Sequence, residues 1–212
     1  ISGEKLVGIV SGANMNFDRL RTVAERAEIG EQREALFAVR IPEVPGSFLK
    51  FCGLLEKRSI TEFNYRYADE REAYVFCGIE LKHGDHERLQ LLQMLEKHGY
   101  AATDMTDNET AKLHVRYMVG GHAPRVNHEK LFRFQFPERP RALLDFLSQV
   151  GTRWNISLFH YRNHGAAYGR VLIGIQLQTN KEIKAFTASM DELGDRYGDE
   201  SDNPADHIFA SP

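Results

Sequence analysis

The sequence is poor in the residue types that identify several common classes of protein. Only two of its 212 residues are cysteine, Cys52 and Cys77, too few for a disulfide framework and without metal-ligand spacing. Lysine and arginine number 27 against 30 aspartate and glutamate, a net charge of −3, and no segment concentrates basic residues. No apolar run approaches the roughly 20 residues of a membrane-spanning helix. We therefore expect no nucleic-acid or membrane partner, and the reduced thiols of a cytoplasmic protein.

Complete catalytic motifs are also lacking. Neither common glycine-rich phosphate loop occurs, and no set of serine, histidine and acid residues stands out. His160 and His164 have a loose metal-ligand spacing, but no cysteine or carboxylate accompanies them. Carboxylate pairs such as Glu31 and Glu34 are more typical of a solvated surface than of an acid–base pair. We therefore expect no metal site and no complete active site in these residues.

What the sequence does contain is an internal repeat at about half its length. Residues 36–51, LFAVRIPEVPGSFLKF, share with residues 131–146, LFRFQFPERPRALLDF, a Leu-Phe start, alternating apolar residues and a Pro-Glu-x-Pro turn. The match continues in order through ITEFNYRY and ISLFHYRN, GIEL and GIQL, and TDN and SDN. Agreement in this order indicates a duplicated unit rather than two unrelated domains.

Each copy predicts the element order β-α-β-β-α-β. In the first copy, alternating apolar residues at 35–41 predict a strand, and apolar spacing after Gly46 predicts a helix. ITEFNYRY and AYVFCGIEL predict a hairpin, residues 85–98 a second helix with Gly99 after its end, and residues 100–105 a last strand. We therefore expect an α+β chain of two tandem ferredoxin-like units, each with a four-stranded antiparallel sheet and helices on one face.

The repeat also predicts the domain boundaries. A leading segment, a first unit, a linker and a second unit are expected at 1–33, 34–121, 122–128 and 129–212. Asp107 is expected to cap a further helix of the first unit that continues to Met118. The apolar face of the helix at 85–98 is expected at Leu89, Leu92, Met94 and Leu95. The two units are expected to pair within the chain, because a separate sheet leaves an open edge.

The turn that precedes the first helix of each copy is a candidate ligand site. Free N–H groups and the positive end of the helix dipole can hold a carboxylate there. The first copy has Pro45 and Gly46 at this turn, whereas the second has Pro140 and Arg141. Arg141 either blocks a pocket or supplies a cation for the carboxylate. The alternative is that the prolines only end the strand.

The second strand of each copy is rich in aromatic residues. Phe63 and Tyr65 share one face of their strand, as do Phe159 and Tyr161, because alternate side chains of a strand point the same way. An apolar wall beside a carboxylate-binding helix start suits an aliphatic amino acid. The alternative is that these aromatic residues only pack a core.

Three aliphatic residues of the second copy's helix could complete this cleft. Leu143, Leu147 and Val150 follow helical spacing and therefore share one face. We expect them to shape the aliphatic end of a ligand site between the two units, although the same spacing fits a plain core.

Several longer segments carry a resemblance to a known family. SGANMNFDRLR, PGSFLKFC, TEFNYRYAD, AKLHVRYMVGG and WNISLFHYR together resemble the carboxyl-terminal part of biosynthetic threonine deaminase, also called threonine ammonia-lyase or dehydratase. The resemblance implies a regulatory region of two ACT-like units joined to a pyridoxal-phosphate catalytic domain. It also implies conversion of threonine to 2-oxobutanoate and ammonia in isoleucine biosynthesis, inhibition by isoleucine, counteraction by valine, and a tetramer.

The same resemblance assigns a role to the start of the chain. Ser11 matches the serine that meets the pyridine nitrogen of the cofactor in the full-length enzyme, so residues 1–33 are expected to be the tail of a catalytic domain. The lysine and phosphate loop that would hold the cofactor are not in this sequence, and we expect the fragment to be inactive and free of cofactor. Two alternatives are a non-sensing assembly module of the same enzyme and a free-standing amino-acid sensor.

Overall fold

The computed structural model describes most of the two repeated units. It covers residues 33–204, apart from eight short gaps at 56–57, 69, 122, 138, 140, 151, 164–167 and 195. Ser11 and the strand expected before it therefore lie outside the described residues, as do Pro140 and His164. No helix among the residues covered is long and apolar enough to cross a membrane.

The described chain forms eight strands, five α-helices and one 3₁₀ turn. The strands are β1 Glu34–Pro42, β2 Ile60–Arg66, β3 Glu72–Glu80, β4 Ala101–Asp104, β5 Glu129–Pro137, β6 Asn155–Arg162, β7 Tyr168–Gln176 and β8 Arg196–Asp199. The helices are α1 Ser47–Leu55, α2 Gly84–Lys97, α3 Glu109–Leu113, α4 Ala142–Val150 and α5 Asn180–Leu193, and the 3₁₀ turn is Val115–Tyr117.

All eight strands belong to one antiparallel sheet, in the order β4-β1-β3-β2-β6-β7-β5-β8. Each half of this order is that of a ferredoxin-like unit, which confirms the expected α+β class and the tandem units. The two four-stranded sheets join edge to edge through β2 and β6, from Glu62 opposite Arg162 to Arg66 opposite Leu158. Both inner edges are therefore paired within the chain.

One hydrophobic core lies between the sheet and the helices of both units. Alternation along each strand turns one set of side chains towards this core, for example Phe37 and Val39 of β1 and Phe132 and Phe134 of β5, all at most 1 % exposed. Helices α1, α2, α4 and α5 cover the set with their own buried residues. The units therefore share a single core rather than having one each.

The opposite face of the first unit is covered by the segment that follows β4. Leu36 of β1 and Phe76 of β3 point to this face and pack with Ala111 of α3, and with the half-buried Met105 and Val119. The chain between the units therefore crosses the sheet instead of extending into solvent.

Helix α3 is shorter than expected and is capped by a different residue. Asn108, not Asp107, accepts the capping hydrogen bond from a backbone N–H three residues later, at 3.0 Å. At His114 the backbone leaves helical geometry, with φ −131° and ψ −63°, so the helix does not reach Met118. The cause is tertiary, because Arg116 of the 3₁₀ turn is buried against β2.

The buried face of α2 also differs from the expectation. Leu91 and Leu95 are fully buried, Leu92 and Met94 are half-buried, and Leu89 is 56 % exposed. Leu91 and Leu95 are four residues apart and form the stripe that faces the core. The expectation placed Leu89 in that stripe, but its position lies on the solvent side.

A β-bulge explains two of the repeated sequence patches. In the first unit the register between β2 and β3 shifts at Thr61, which is the extra residue of β2. The Thr61 hydroxyl donates to Glu34 Oε1 at 2.5 Å, directly over Gly78 of the repeated GIEL. A Cβ at position 78 would collide with both side chains, so only glycine leaves room for the pair.

The second unit repeats this arrangement. Ser157 is the extra residue of β6, and its hydroxyl donates to Glu129 Oε1 at 2.5 Å. A Cβ on Gly174 of the repeated GIQL would lie 2.5 Å from Glu129 Oε1 and 2.9 Å from Leu158 Cβ. Both units thus hold a glycine, a bulged hydroxyl residue and a glutamate together.

Replacing this glycine is expected to destabilise the chain. In Gly174→Ala the new Cβ would push the side chains of Glu129 and Leu158 away from position 174. This change should reduce the free energy of unfolding by about 1–3 kcal/mol. Gly53→Ala is the matched control, because Gly53 lies within α1 and nothing outside its own helix lies within 4 Å of the place that a Cβ would occupy, and the change should gain about 0.5–1 kcal/mol. Urea unfolding monitored by circular dichroism measures both, and equal effects of the two changes would refute the packing explanation.

Candidate functional site

The aromatic side chains expected at the site meet where the two units join. Phe63 of β2 and Phe159 of β6 contact edge to face with 5.5 Å between ring centroids. Phe48 of α1 lies 4.9 Å from Tyr65 and 6.1 Å from Phe159, and Phe146 of α4 lies 6.3 Å from Phe159. The structure therefore brings these residues into one cluster that belongs to both units.

The remaining predicted wall residues surround this cluster. Tyr161 stacks on Phe136 with 6.3 Å between centroids, and Leu143, Leu147 and Val150 are between 1 % and 5 % exposed in the same core. All of them are packed in the structure. Their part in ligand binding stays a prediction, and a ligand that uses them has to displace packed side chains.

The start of α1 is built from both units. Gly46 precedes the helix with φ +88°, a left-handed conformation that glycine adopts without strain. A Cβ on Gly46 would lie 2.5 Å from Cγ2 of Thr152, which follows α4 of the second unit. Pro45 is exposed at this turn. The second unit thus closes directly over the first unit's helix start.

A half-buried carboxylate lies at the same turn. Glu43 accepts a hydrogen bond from the Tyr65 hydroxyl and another from Asn155 of β6. Burial raises the pKa of Glu43, and the two hydrogen bonds only partly oppose this effect. Among the ion pairs found within the described residues, none involves Glu43. The turn therefore holds an acceptor group for which no ion-pair partner is found in the described part of the chain.

The corresponding turn of the second unit is different. Arg141 is exposed and has φ +72°, the left-handed region that a residue with a Cβ adopts at a cost. Its backbone carbonyl accepts from the Asp145 N–H at 2.8 Å, as that of Gly46 accepts from Lys50 at 3.0 Å. The two turns share a backbone conformation but present a hydrogen atom in one unit and a guanidinium side chain in the other.

Sequence reasoning missed three residues of the first turn. Glu43 is the glutamate of the repeated Pro-Glu-x-Pro pattern, so the repeat itself indicates this residue. Thr152 and Asn155 belong to the second unit, and only the pairing of β2 with β6 brings them to the first. No local pattern predicts that approach.

The other face of β2 carries ion pairs. Arg66 binds Glu129 through two N–H groups, at 2.5 and 3.1 Å, and donates to the Gly121 carbonyl at 2.7 Å. Glu62 accepts from Arg116 at 2.6 and 2.9 Å. Arg116 and Gly121 lie in the segment that follows β4, and Glu129 lies in the second unit. Strand β2 therefore contacts the core with one face and these segments with the other.

No group of side chains suited to a metal ion is found among the described residues. His160 lies on β6 and keeps an exposed surface, and partial desolvation together with the nearby Arg162 lowers its pKa. The described residues of the α1 turn supply an acceptor carboxylate, a helix start and apolar side chains.

Comparison with known proteins gives a consistent picture. The sequence profile described as "C-terminal regulatory domain of Threonine dehydratase" matches residues 25–115 and again residues 120–209. L-threonine dehydratase biosynthetic IlvA of Escherichia coli (strain K12) is 56 % identical over 209 residues, which are 99 % of this chain and 40 % of that protein.

More distant relatives match over a similar share. L-threonine dehydratase biosynthetic IlvA of Burkholderia multivorans is 51 % identical over 100 % of this chain and 41 % of its own length. The mitochondrial threonine dehydratase of Saccharomyces cerevisiae is 45 % identical over 93 % of the chain and 35 % of its own length. The chain thus spans about two fifths of the length of the curated relatives it matches.

Removing the charge of Glu43 should stabilise the chain in a pH-dependent way. Because its pKa is raised on folding, ionised Glu43 costs stability as pH rises above the ordinary value of 4.5. Glu43→Gln keeps an oxygen for the Tyr65 hydroxyl, so its melting temperature should exceed that of the wild type at pH 7 and converge with it below pH 4.5. Calorimetric scans across this range test it; a gain that is independent of pH would contradict the assignment. Glu72→Gln, at an exposed pair with Arg40, is the control.

Relieving the backbone at Arg141 should also stabilise the chain. Arg141→Gly replaces a side-chain-bearing residue at φ +72°, and the expected gain is up to about 1 kcal/mol. Arg141→Ala is the matched control, since it removes the guanidinium but keeps the Cβ. Equal gains from glycine and alanine in denaturant unfolding would show that the side chain, not the backbone, carries the cost.

Proposed function

This chain belongs to the family of C-terminal regulatory domains of threonine dehydratase, and from that premise we propose that it binds isoleucine and valine and thereby regulates the lyase. Isoleucine is the inhibitor and valine the ligand that opposes it. The catalytic part converts threonine to 2-oxobutanoate and ammonia with pyridoxal phosphate, whose pyridine nitrogen would be contacted by Ser11. The whole enzyme is a homotetramer of the cytoplasm in this proposal. We expect these 212 residues alone to be inactive.

One observation carries the assignment of the effector site: Glu43, Gly46 and the α1 start form a turn that Thr152 and Asn155 of the other unit close. A free amino acid has an ammonium, a carboxylate and a side chain. Glu43 supplies an acceptor for the ammonium. The start of a helix has N–H groups without partners inside the helix and the positive end of the helix dipole, which suits the carboxylate. Of these groups in α1, the Ser47 N–H already donates to the Val44 carbonyl at 3.1 Å.

The side chain of the effector then points towards the aromatic cluster. Phe63, Tyr65 and Phe159 stand behind the turn, and Tyr65 connects the two regions because its hydroxyl donates to Glu43. Leu143 and Leu147 of α4 form the aliphatic end in this proposal. Since all of these residues are packed, binding requires the two units to separate slightly at α1 and α4.

The difference between the two turns suits two ligands with opposite effects. A ligand shifts an equilibrium only by its differential affinity for the two states. One turn with Gly46 and another with Arg141 offer two sites of unequal shape. We assign isoleucine to the first turn and valine to the second, with the Arg141 guanidinium as a partner for the carboxylate.

A second candidate function is that of an assembly module without an effector site. The closed packing of the aromatic cluster favours this alternative, because Phe63, Tyr65 and Phe159 are fully buried. Binding of a branched-chain amino acid to the chain distinguishes the two functions directly.

Titration calorimetry of the 212-residue chain with isoleucine should show saturable binding that depends on Glu43. Glu43→Gln removes a charge-assisted hydrogen bond worth about 1.5–3 kcal/mol. The affinity for isoleucine should therefore fall by about 10- to 100-fold. Glu72→Gln should bind isoleucine as the wild type does.

Two results would count against this site. Absence of heat with both isoleucine and valine at millimolar concentration would leave the assembly module as the function. Binding that is equally tight in Glu43→Gln would place the ammonium elsewhere. Arg141→Gly should weaken valine more than isoleucine, and the reverse order would exchange the two assignments.

A further inference from the structure

The 3₁₀ turn after α3 exposes apolar side chains on the face of the sheet opposite α1 and α2. Val115, Tyr117 and Met118 are 40 %, 56 % and 74 % exposed, and we refer to residues 115–118 as the back-face turn. Single exposed apolar residues are ordinary, but three within four positions are a candidate contact surface.

The back-face turn is held rigidly although its apolar side chains point outwards. Arg116 is buried and binds Glu62 at 2.6 Å and Glu34 at 3.6 Å. Its backbone carbonyl accepts from Asn64 Nδ2 at 3.3 Å. Burial disfavours the guanidinium charge, but the two carboxylates outweigh it and raise the pKa of Arg116. The turn is therefore fixed to β2 by a buried ion pair and moves with that strand.

Strand β2 connects this turn to the proposed effector site. Phe63 and Tyr65 point into the core behind the α1 turn, while Glu62 and Asn64, the alternate residues, hold the back-face turn. A displacement of β2 by an effector on one face therefore displaces the back-face turn on the other.

The charges around the turn indicate what it contacts. Arg162 lies over the Tyr117 ring at 5.1 Å, and Lys112 and His114 precede the turn on the same segment. Arg162 also faces Glu62 across the β2–β6 pair, whereas two copies that met through this patch would bring Lys112 and His114 of both copies together. The surface instead suits a partner with an apolar centre and carboxylates at its rim.

We propose that the back-face turn docks onto the catalytic part of threonine dehydratase and transmits effector binding to it. The proposal rests on the proposed function, since it needs a regulated enzyme. The size of the relatives supports this occupant, because about three fifths of their length lies outside the region matched by this chain. Coupling between two sites requires a contact that differs between their states.

A photo-crosslinking residue identifies the partner directly. We would place p-benzoylphenylalanine at position 118 of the full-length dehydratase that carries this chain, and at position 89 as a control, since Leu89 is 56 % exposed on α2. Position 118 should crosslink to a peptide of the catalytic part, with a different yield when isoleucine is bound. A crosslink to residues 33–204 of another subunit, or a yield no higher than at position 89, would overturn the proposal.

Substitution tests the coupling. Tyr117→Ser with Met118→Ser keeps Arg116 and its ion pairs, and should raise the isoleucine concentration for half-inhibition at least about tenfold, a coupling within the usual range between linked sites. Leu89→Ser is the control and should leave that concentration unchanged. Each variant is referred to its own turnover without isoleucine, and its melting temperature checks folding.

Calorimetry separates this proposal from the function on which it rests. If the double variant binds isoleucine like the wild type but is poorly inhibited, the docking surface is supported. If it binds isoleucine and is inhibited normally, the docking proposal fails and the effector function stands. If the wild-type enzyme does not bind isoleucine at all, both fail.

Discussion

The pairing of β2 with β6 is the constraint on which the rest of the structure depends. It satisfies the backbone groups of two inner edges and makes one sheet from two duplicated units. The same pairing brings Phe63 against Phe159 and places Thr152 and Asn155 at the first unit's turn. A separate pair of units, tethered only by the linker, would have neither the shared core nor a turn closed from both sides.

The sequence predicted the local order well because alternation and turns are local signals. The strand and helix positions of both units follow from period-2 and helical spacing, and the repeat supported one copy by the other. The predicted extent of the helix after β4 was wrong because Arg116 is held by Glu62, which lies more than fifty residues away in the sequence. Pairing of the two units within the chain was predicted from their open edges, but not that β2 and β6 form the joint, since that depends on contacts between units.

The same difference between local patterns and contacts between units applies to the candidate site. Sequence patterns mark Gly46, Phe63 and Phe159, so these residues could be predicted. No sequence pattern marks Thr152 and Asn155 as residues of the first unit's turn. The sequence shows that the glycine of GIEL and GIQL is repeated, but it does not show why. That reason is volume: a bulged hydroxyl residue and a glutamate occupy the space where a Cβ would be, in both units.

The short outer strands limit how such chains can assemble. Within the described sheet only β4 and β8 have an open edge, and each has four residues, with Asp104 on one and Arg196 and Asp199 on the other. Short, charged edges are poor templates for further strand pairing. These edges therefore disfavour continuation of the sheet from one copy of the chain to the next. Contact between copies is then left to the faces of the sheet and to its helices.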